Sequence, residues 1–250
     1  MQPIIIDKAP ANITVKLSKN PISLPKEIRT HHDHYWNKQL SINPSLRNGE
    51  VFTITDIRQT SDELEIIVAK TDYKHYLYTM HHPACDHPCK VIYSCASVIT
   101  NDSCIAFGRM NQTTSTPGRL QFTVGGLEEA DLIDSQFDIE ANLSRELKEE
   151  MGLDIHSRAT CSFIPKFIKH KGSHDFWAVI YELSVDCTAS ELHTHFLNHN
   201  QLVAENGQQP EFDELLFIPL EKAAVESFIQ NEKAPMVDYL LPILAKYIEK

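Results

Sequence analysis

The sequence predicts an α/β fold with a layered core, either α+β or α/β/α, rather than a doubly wound sheet. Two observations carry this. Strands and helices are mixed without regular βα alternation. An amphipathic helix over 139–151 follows a short strand and a Gly-Gly pair, and two further amphipathic helices close the chain. The 250 residues carry 34 Asp+Glu against 23 Lys+Arg, a net −11. That balance argues against a general nucleic-acid coat. With 42% hydrophobic and 23% charged residues the composition is ordinary globular material. No stretch approaches the roughly 20 apolar residues of a membrane helix, and residues 1–8 are too short for a secretory core. The six cysteines follow no extracellular framework, so reduced thiols are expected. The expectation is a soluble, cytoplasmic protein with neither nucleic-acid nor membrane partners.

Taken in order, residues 1–50 are rich in Pro and Asn, hold His31, His32 and His34 as surface or loop residues, and end on the turn signal Asn48-Gly49. Val51–Ile57 and Leu64–Ala69 are β-branched runs that predict a hairpin. His81–Cys89, with two prolines, reads as a loop; its Cys-x3-Cys spacing is not a common zinc knuckle, so zinc is not favoured. A domain boundary is placed near residue 90, dividing an N-terminal extension (1–90) from the main domain (91–250). Val91–Thr100 and Cys104–Phe107 predict a second hairpin, and Leu120–Val124 a short strand entering Gly125-Gly126. The helix over 139–151 is stopped by Gly152 in the usual C-terminal position. Strands are predicted over 162–168, 176–185 and 215–218, and helices over 190–204, 220–229 and 237–248.

The acidic excess is local. Residues 128–154 hold ten acids against two bases and so carry −8 of the −11. Within the helix, Glu146, Glu149 and Glu150 are related by i+3 and i+4 steps and point into a common volume. Ile139, Leu143, Leu147 and Met151 recur every four residues and dock the other flank on a sheet. From spacing alone two readings stand: a solvated acidic face, or a rigid edge of oxygen donors suited to Mg²⁺ or Mn²⁺ rather than Zn²⁺. The Gly-Gly pair would let the backbone turn tightly and bring a carbonyl toward the same ion.

The string Arg145-Glu146-Leu147-Lys148-Glu149-Glu150-Met151-Gly152-Leu153 behind that pair resembles the signature of the Nudix hydrolases, G-x5-E-x7-R-E-U-x-E-E-x-G-U with U aliphatic. Every fixed position of the second half matches. The first half departs: Gly126 to Arg145 spans 19 positions where the pattern has 14, and Phe137 stands where it has an acid. Asp138 and Glu140 are the candidates to replace that acid. Val98–Arg109 and Glu211–Pro219 are similar to family strands flanking the signature, and Trp36, Asn43–Gly49 and Thr71–Lys74 are similar to the leader of a branch that includes UDP-sugar diphosphatases.

The resemblance implies an α/β/α sandwich with a mixed sheet, preceded by a β-containing extension. It also implies a pyrophosphatase of nucleotide-sugar type, hydrolysing the diphosphate of a UDP-sugar or ADP-ribose type substrate with Mg²⁺ or Mn²⁺. Glu146, Glu149, Glu150 and the Gly126 carbonyl would be the metal ligands. Glu146 is the first choice of base and Glu211 the second. Arg145 would orient the carboxylates, by pairing with Glu149 or by reaching back to the loop. Arg109 and Arg119 flank the polar loop 111–118 and are the candidates for phosphate binding. Lys166, Lys169 and Lys171 read as strand and turn decoration; Tyr73, Phe122 and Trp177 read as core more readily than as base-stacking residues. Cys95 and Cys104 read as buried small hydrophobes. The resemblance leaves homodimer formation open, with the extension as an interface or a lid. It also leaves open a second function: a non-catalytic domain of the family that binds a nucleotide for regulation.

Overall fold

The computed structural model describes residues 3–157 and 159–249. Its main sheet gathers β1 (Ile4–Lys8), β5 (Ile92–Ile99), β6 (Cys104–Met110), β11 (Thr160–Lys171), β12 (Trp177–Val185) and β13 (Phe212–Pro219). The strand order is β1-β11-β12-β5-β6-β13. Two short strands extend it, β7 (Leu120–Gln121) on β6 and β8 (Thr123–Gly126) on β5. β12 and β5 run parallel and the other pairs antiparallel, so the sheet is mixed. Alternation along β5 supplies both faces: Ile92, Ala96 and Val98 join one core cluster, Cys95 the other. Such two-sided burial requires cover on both faces.

The first face is covered by α3 (Ile139–Met151) and α4 (Ala189–Glu205), the second by α5 (Lys222–Asn231) and α6 (Leu240–Ile248). The architecture is the α/β/α sandwich with a mixed sheet that the resemblance implies, one of the two layered cores left open by the element pattern. α3 has the predicted bounds because its signals are local. Asp138 caps it by accepting from the Ala141 N–H, and Gly152 ends it at φ 70°. Leu143, Leu147 and Met151 are buried, at about 1.5–3 kcal/mol each. α4 begins at a reciprocal capping box of Thr188 and Glu191. It then aims His195 and His199 at the end of α3, where their ring nitrogens meet the carbonyls of Gly152 (2.9 Å) and Glu149 (2.8 Å).

A second sheet combines β2 (Asn12–Leu17), β3 (Glu50–Gln59), β4 (Glu63–Asp72), β9 (Leu132–Ile133) and β10 (Gln136–Phe137) in the order β3-β4-β2-β10-β9. The predicted hairpin is β3–β4. Strands are exchanged across residue 90, since β1 joins the main sheet while β9 and β10 join the second. Buried Val15, Phe52, Ile66, Val68 and Phe137 belong to the same core cluster as Leu143 and Leu147.

Two helices escaped the sequence reading: α1 (Lys26–Ile42) and α2 (Tyr73–His81). α1 is polar on most sides and buries only His32. His32 is therefore not a surface residue. It stacks on His75 at 5.0 Å and packs against Tyr78 at 4.5 Å. Burial, then the adjacent His75, lowers its pKa to about 4. Of the expected loop 81–89, His81 instead ends α2 and residues 82–89 are loop, which Cys89 closes by donating its N–H to Thr79 Oγ1. Cys95 is fully buried, while Cys104 is only partly so. No helix among the described residues is long and apolar enough to cross a membrane.

Candidate metal and phosphate site

β8 delivers Gly125 and Gly126 beside α3. Neither has positive φ, so the pair does not serve a tight turn. Gly125 is needed for close approach instead: a Cβ there would lie 2.0 Å from Asn142 Oδ1. Asn142 is fully buried on α3, accepts from Ser94 Oγ (3.0 Å), and donates to the Gly126 carbonyl (2.9 Å) and to Asp131 Oδ2 (2.8 Å). A Cβ on Gly126 would meet nothing within 4 Å, so space is open before that residue.

The residues between Gly126 and α3 explain the long spacing. A 3-10 turn over Glu129–Asp131 is followed by the β9–β10 hairpin, whose two-residue loop, Asp134-Ser135, has φ 46° and 71°. The hairpin adds to β2 with Phe137 opposite Val15, and the Phe137 ring meets Phe52 edge-on at 4.8 Å. The extra residues are thus an edge hairpin that ties the site loop to the N-terminal sheet.

This placement changes the expected acid. Phe137 is core, Asp138 caps α3 and Glu140 is exposed. Asp131 occupies the supporting position: it is 7% exposed, accepts from the Glu128 N–H and Asn142, and lies 3.5 Å from Arg145. Arg145 reaches back to the loop, with Glu128 at 3.1 Å, and also holds Glu146 at 2.9 Å; it makes no ion pair with Glu149. Burial works against its charge, but Glu146, Glu128, Asp131 and Glu149 outweigh that and raise its pKa.

The three helix carboxylates differ in environment. Glu149 is exposed. Glu146 is mostly covered, and burial raises its pKa to about 7; Arg145 opposes the shift, while Glu149, Glu128 and Glu211 add to it. Glu150 is 3% exposed, and no donor among the described residues reaches its Oε2. Burial and then the Glu211 charge push its carboxyl far above the usual range; Thr123 opposes and Glu146 adds. Glu211, at the surface of the same cluster, is raised by partial burial and by Glu149, against Arg119.

A buried, unpaired carboxylate costs several kcal/mol, so this cluster holds protons or a cation. Its donors are all hard oxygens, one of them without a partner, close to the Gly126 carbonyl, whose other lone pair is not used by Asn142. These residues fit a divalent cation of the Mg²⁺ or Mn²⁺ type in donor chemistry. In their present rotamers, no three His, Cys, Asp or Glu side chains among the described residues converge as a formed coordination sphere.

A cavity of about 620 Å³ adjoins the cluster, with Gly126 and Glu128 in its wall; Glu146, Glu149 and Glu150 do not line it. Arg119 lines it, held by Gln121 Oε1 at 2.5 and 3.1 Å. Arg109 does not, and pairs instead with Glu214 on β13 at 2.8 Å. Tyr73 lines the cavity, while Phe122 and Trp177 are core. Lys169 corrects the sequence reading: it is 2% exposed and lines the cavity. Its strand parity with Phe167, whose side chain packs on the covered second face, was the available signal. Asn142 carried one too, as a polar residue beside the apolar stripe of α3.

No protein-family profile matches the sequence, and no curated protein matches it. The fold is similar to that of a bifunctional NMN adenylyltransferase/ADP ribose pyrophosphatase from Francisella tularensis, at 12% identity over 69% of this chain and 44% of that one (TM-score 0.43). It is also similar to a mutT/nudix family protein from Listeria innocua, at 16% identity over 62% and 90% (TM-score 0.41). A third similarity is to the NUDIX domain of Shewanella oneidensis NrtR, solved with ADP ribose, at 11% identity over 67% and 94% (TM-score 0.38). The chain spans less than half the length of the Francisella protein.

Proposed function

We propose that the chain is a Nudix-type hydrolase that cleaves the diphosphate of a nucleoside diphosphate linked to another moiety, of UDP-sugar or ADP-ribose type. One observation carries this reading. The residues of the signature string are assembled behind a strand and Gly-Gly pair, with Arg145 tied to the loop acids and Glu150 buried without a donor at Oε2. A solvated acidic face would not bury a carboxylate in this way.

Glu146, Glu149, Glu150 and the Gly126 carbonyl would hold the divalent cation, which when bound neutralises the diphosphate's charge. Arg119 contributes a guanidinium for a phosphate oxygen. Glu146 is the first candidate to take the proton of the attacking water as its oxygen bonds to phosphorus and the bridging P–O bond breaks; without the cation, burial raises its pKa to about 7. Glu211 is the second candidate; partial burial and the Glu149 charge raise its carboxyl as well. Arg145 positions Glu146. For the chain's organisation, we propose a division near residue 90 in which the two parts exchange strands.

The test is hydrolysis of nucleoside diphosphate sugars, dinucleoside polyphosphates, NADH and ADP-ribose with Mg²⁺ or Mn²⁺. Glu149→Gln and Glu150→Gln are expected to abolish phosphate release with the fold intact. Turnover within a few-fold of the parent in either variant overturns the assignment. Binding without turnover by the parent would favour the nucleotide-binding reading.

A further inference from the structure

The cavity's most unusual lining group is Lys169. Lysine is almost never fully buried unless paired, and this side chain is 2% exposed. Its ammonium has three N–H donors. Among the described residues it meets two partners, the Phe176 carbonyl at 3.1 Å and Asp238 Oδ2 at 3.4 Å. Asp238 lines the same cavity. A cationic donor and an anionic acceptor therefore stand side by side in the wall. An anionic ligand group would be repelled by Asp238, and an apolar one would leave the third Lys169 donor unmet. The group that satisfies both presents an acceptor next to a donor.

The neighbouring surface limits the shape of that group. Tyr76 and Phe176 stack at 5.7 Å with planes 24° apart, and both line the cavity. With Tyr73 and His174 packed beside them, they form an aromatic wall against which a flat ring can lie. The volume of about 620 Å³ falls within the roughly 300–1,000 Å³ of small-molecule pockets.

We infer that Lys169 and Asp238 are specificity-determining residues that read the hydrogen-bonding edge of a nucleobase lying against the Tyr76–Phe176 wall. Every nucleobase carries an acceptor beside an N–H donor on one edge. The assignment rests on the proposed hydrolase reading for the nature of the substrate. Through β3 and α2 the N-terminal part supplies part of this cavity, so it contributes to recognition.

The experiment is calorimetric titration in EDTA of AMP, UMP, GMP and CMP, with ribose 5-phosphate as the base-free control. The proteins are the parent, Lys169→Met and Asp238→Asn, each with a thermal melt. Asp238 is partly exposed, so Asp238→Asn tests the pair even if Lys169→Met fails to fold. The expected result is that at least one nucleotide binds the parent at least tenfold more tightly than ribose 5-phosphate does. Each folded variant should lose at least tenfold in that nucleotide's affinity while its affinity for ribose 5-phosphate stays the same. Equal binding of ribose 5-phosphate, no nucleotide binding, or parental nucleotide affinity in a folded variant overturns the inference. In the last case the pair only clamps β11 to the segment before α6. If the parent still hydrolyses nucleoside diphosphate substrates, the proposed function survives that failure. A parent that binds nucleotides by this pattern without hydrolysing anything reverses the outcome.

Discussion

Replacing Glu146 by Gln is expected to stabilise the cation-free protein at alkaline pH and to leave its acid stability unchanged. Glu146 has an ordinary value of 4.5 in the unfolded chain and about 7 in the fold, chiefly through burial. The folded state thus binds the proton more tightly than the unfolded one. Its contribution is fully favourable below pH 4.5 and is lost as the pH rises through 7. At about 1.4 kcal/mol per tenfold change in proton affinity, ionised Glu146 costs on the order of 3 kcal/mol at pH 8. The amide removes the charge and keeps an oxygen to accept from Arg145, now 2.9 Å from Glu146 Oε1. Urea unfolding of parent and variant in EDTA from pH 4 to pH 8 gives the difference curve. It should be flat near pH 4 and rise by on the order of 3 kcal/mol in the variant's favour by pH 8. Saturating Mg²⁺ should then stabilise the parent at pH 8 more than the variant, because binding to the folded state alone adds RT ln(1 + [L]/Kd). Parallel pH curves would refute the burial argument, and equal stabilisation by Mg²⁺ would refute Glu146 as a ligand.

Three further outcomes follow from the packing. His32 has its pKa lowered from 6.5 to about 4, first by burial and then by His75, so its contribution is present above pH 6.5 and lost as the pH falls through 4. His32→Phe should keep the stack and remove on the order of 3 kcal/mol of acid sensitivity, and a variant tracking the parent from pH 7 to pH 4 rules this out. Phe137→Ala should cost about 3–5 kcal/mol in urea unfolding, since Phe137 is 2% exposed and anchors the hairpin on Phe52; a loss under about 1 kcal/mol would mean the hairpin is not docked. Gly152→Ala should lower stability by at least about 1 kcal/mol, because φ is 70° and the new Cβ would lie 2.8 Å from the His199 ring; an unchanged melting curve would contradict that geometry.

How much of this was legible beforehand follows from the range of each signal. α3 was readable to the residue because its stripe, its terminating glycine and its string are all local. The strands of the main sheet from β5 onward were readable because two-sided burial leaves dense apolar runs, whereas β1, a single short edge strand, was not. α1 was not, since one buried histidine gives no apolar period. The site divides in the same way. Glu146, Glu149 and Glu150 lie on one helix face by spacing alone, and Arg145 enters with the signature string. Asp131 was hidden because its partners, Asn142 and Arg145, come into reach only when the hairpin folds out of the way. Lys169 was hidden because a lysine in a strand reads as solvated unless the cover over its face is known. The glycine pair was readable by position but not by cause: Asn142, rather than a tight turn, requires Gly125.

The inserted hairpin also changes what the acidic loop means. As sequence, Glu128, Glu129, Asp131 and Asp134 were surplus charge in a region of altered length. In the fold, Glu128 and Asp131 flank Arg145, and Asp131 also accepts from Asn142 and the Glu128 N–H. Removing six residues, 132–137, would give the eight-residue step from the loop acid to the helix arginine that the signature has, since Asp131 and Arg145 are now 14 apart, and would leave the Gly126–Asp131 step at five, one short of the pattern. Those six residues are β9, its two-residue loop and β10, and β10 pairs with β2. The length anomaly is therefore a graft that leaves the loop's supporting contacts in place and adds an attachment to the N-terminal sheet. That sheet also contributes Phe52 to the cavity beside Gly126 and Glu128. The loop that holds Arg145 and part of the cavity wall are thus fixed to the same sheet, so a change in that sheet is felt at both.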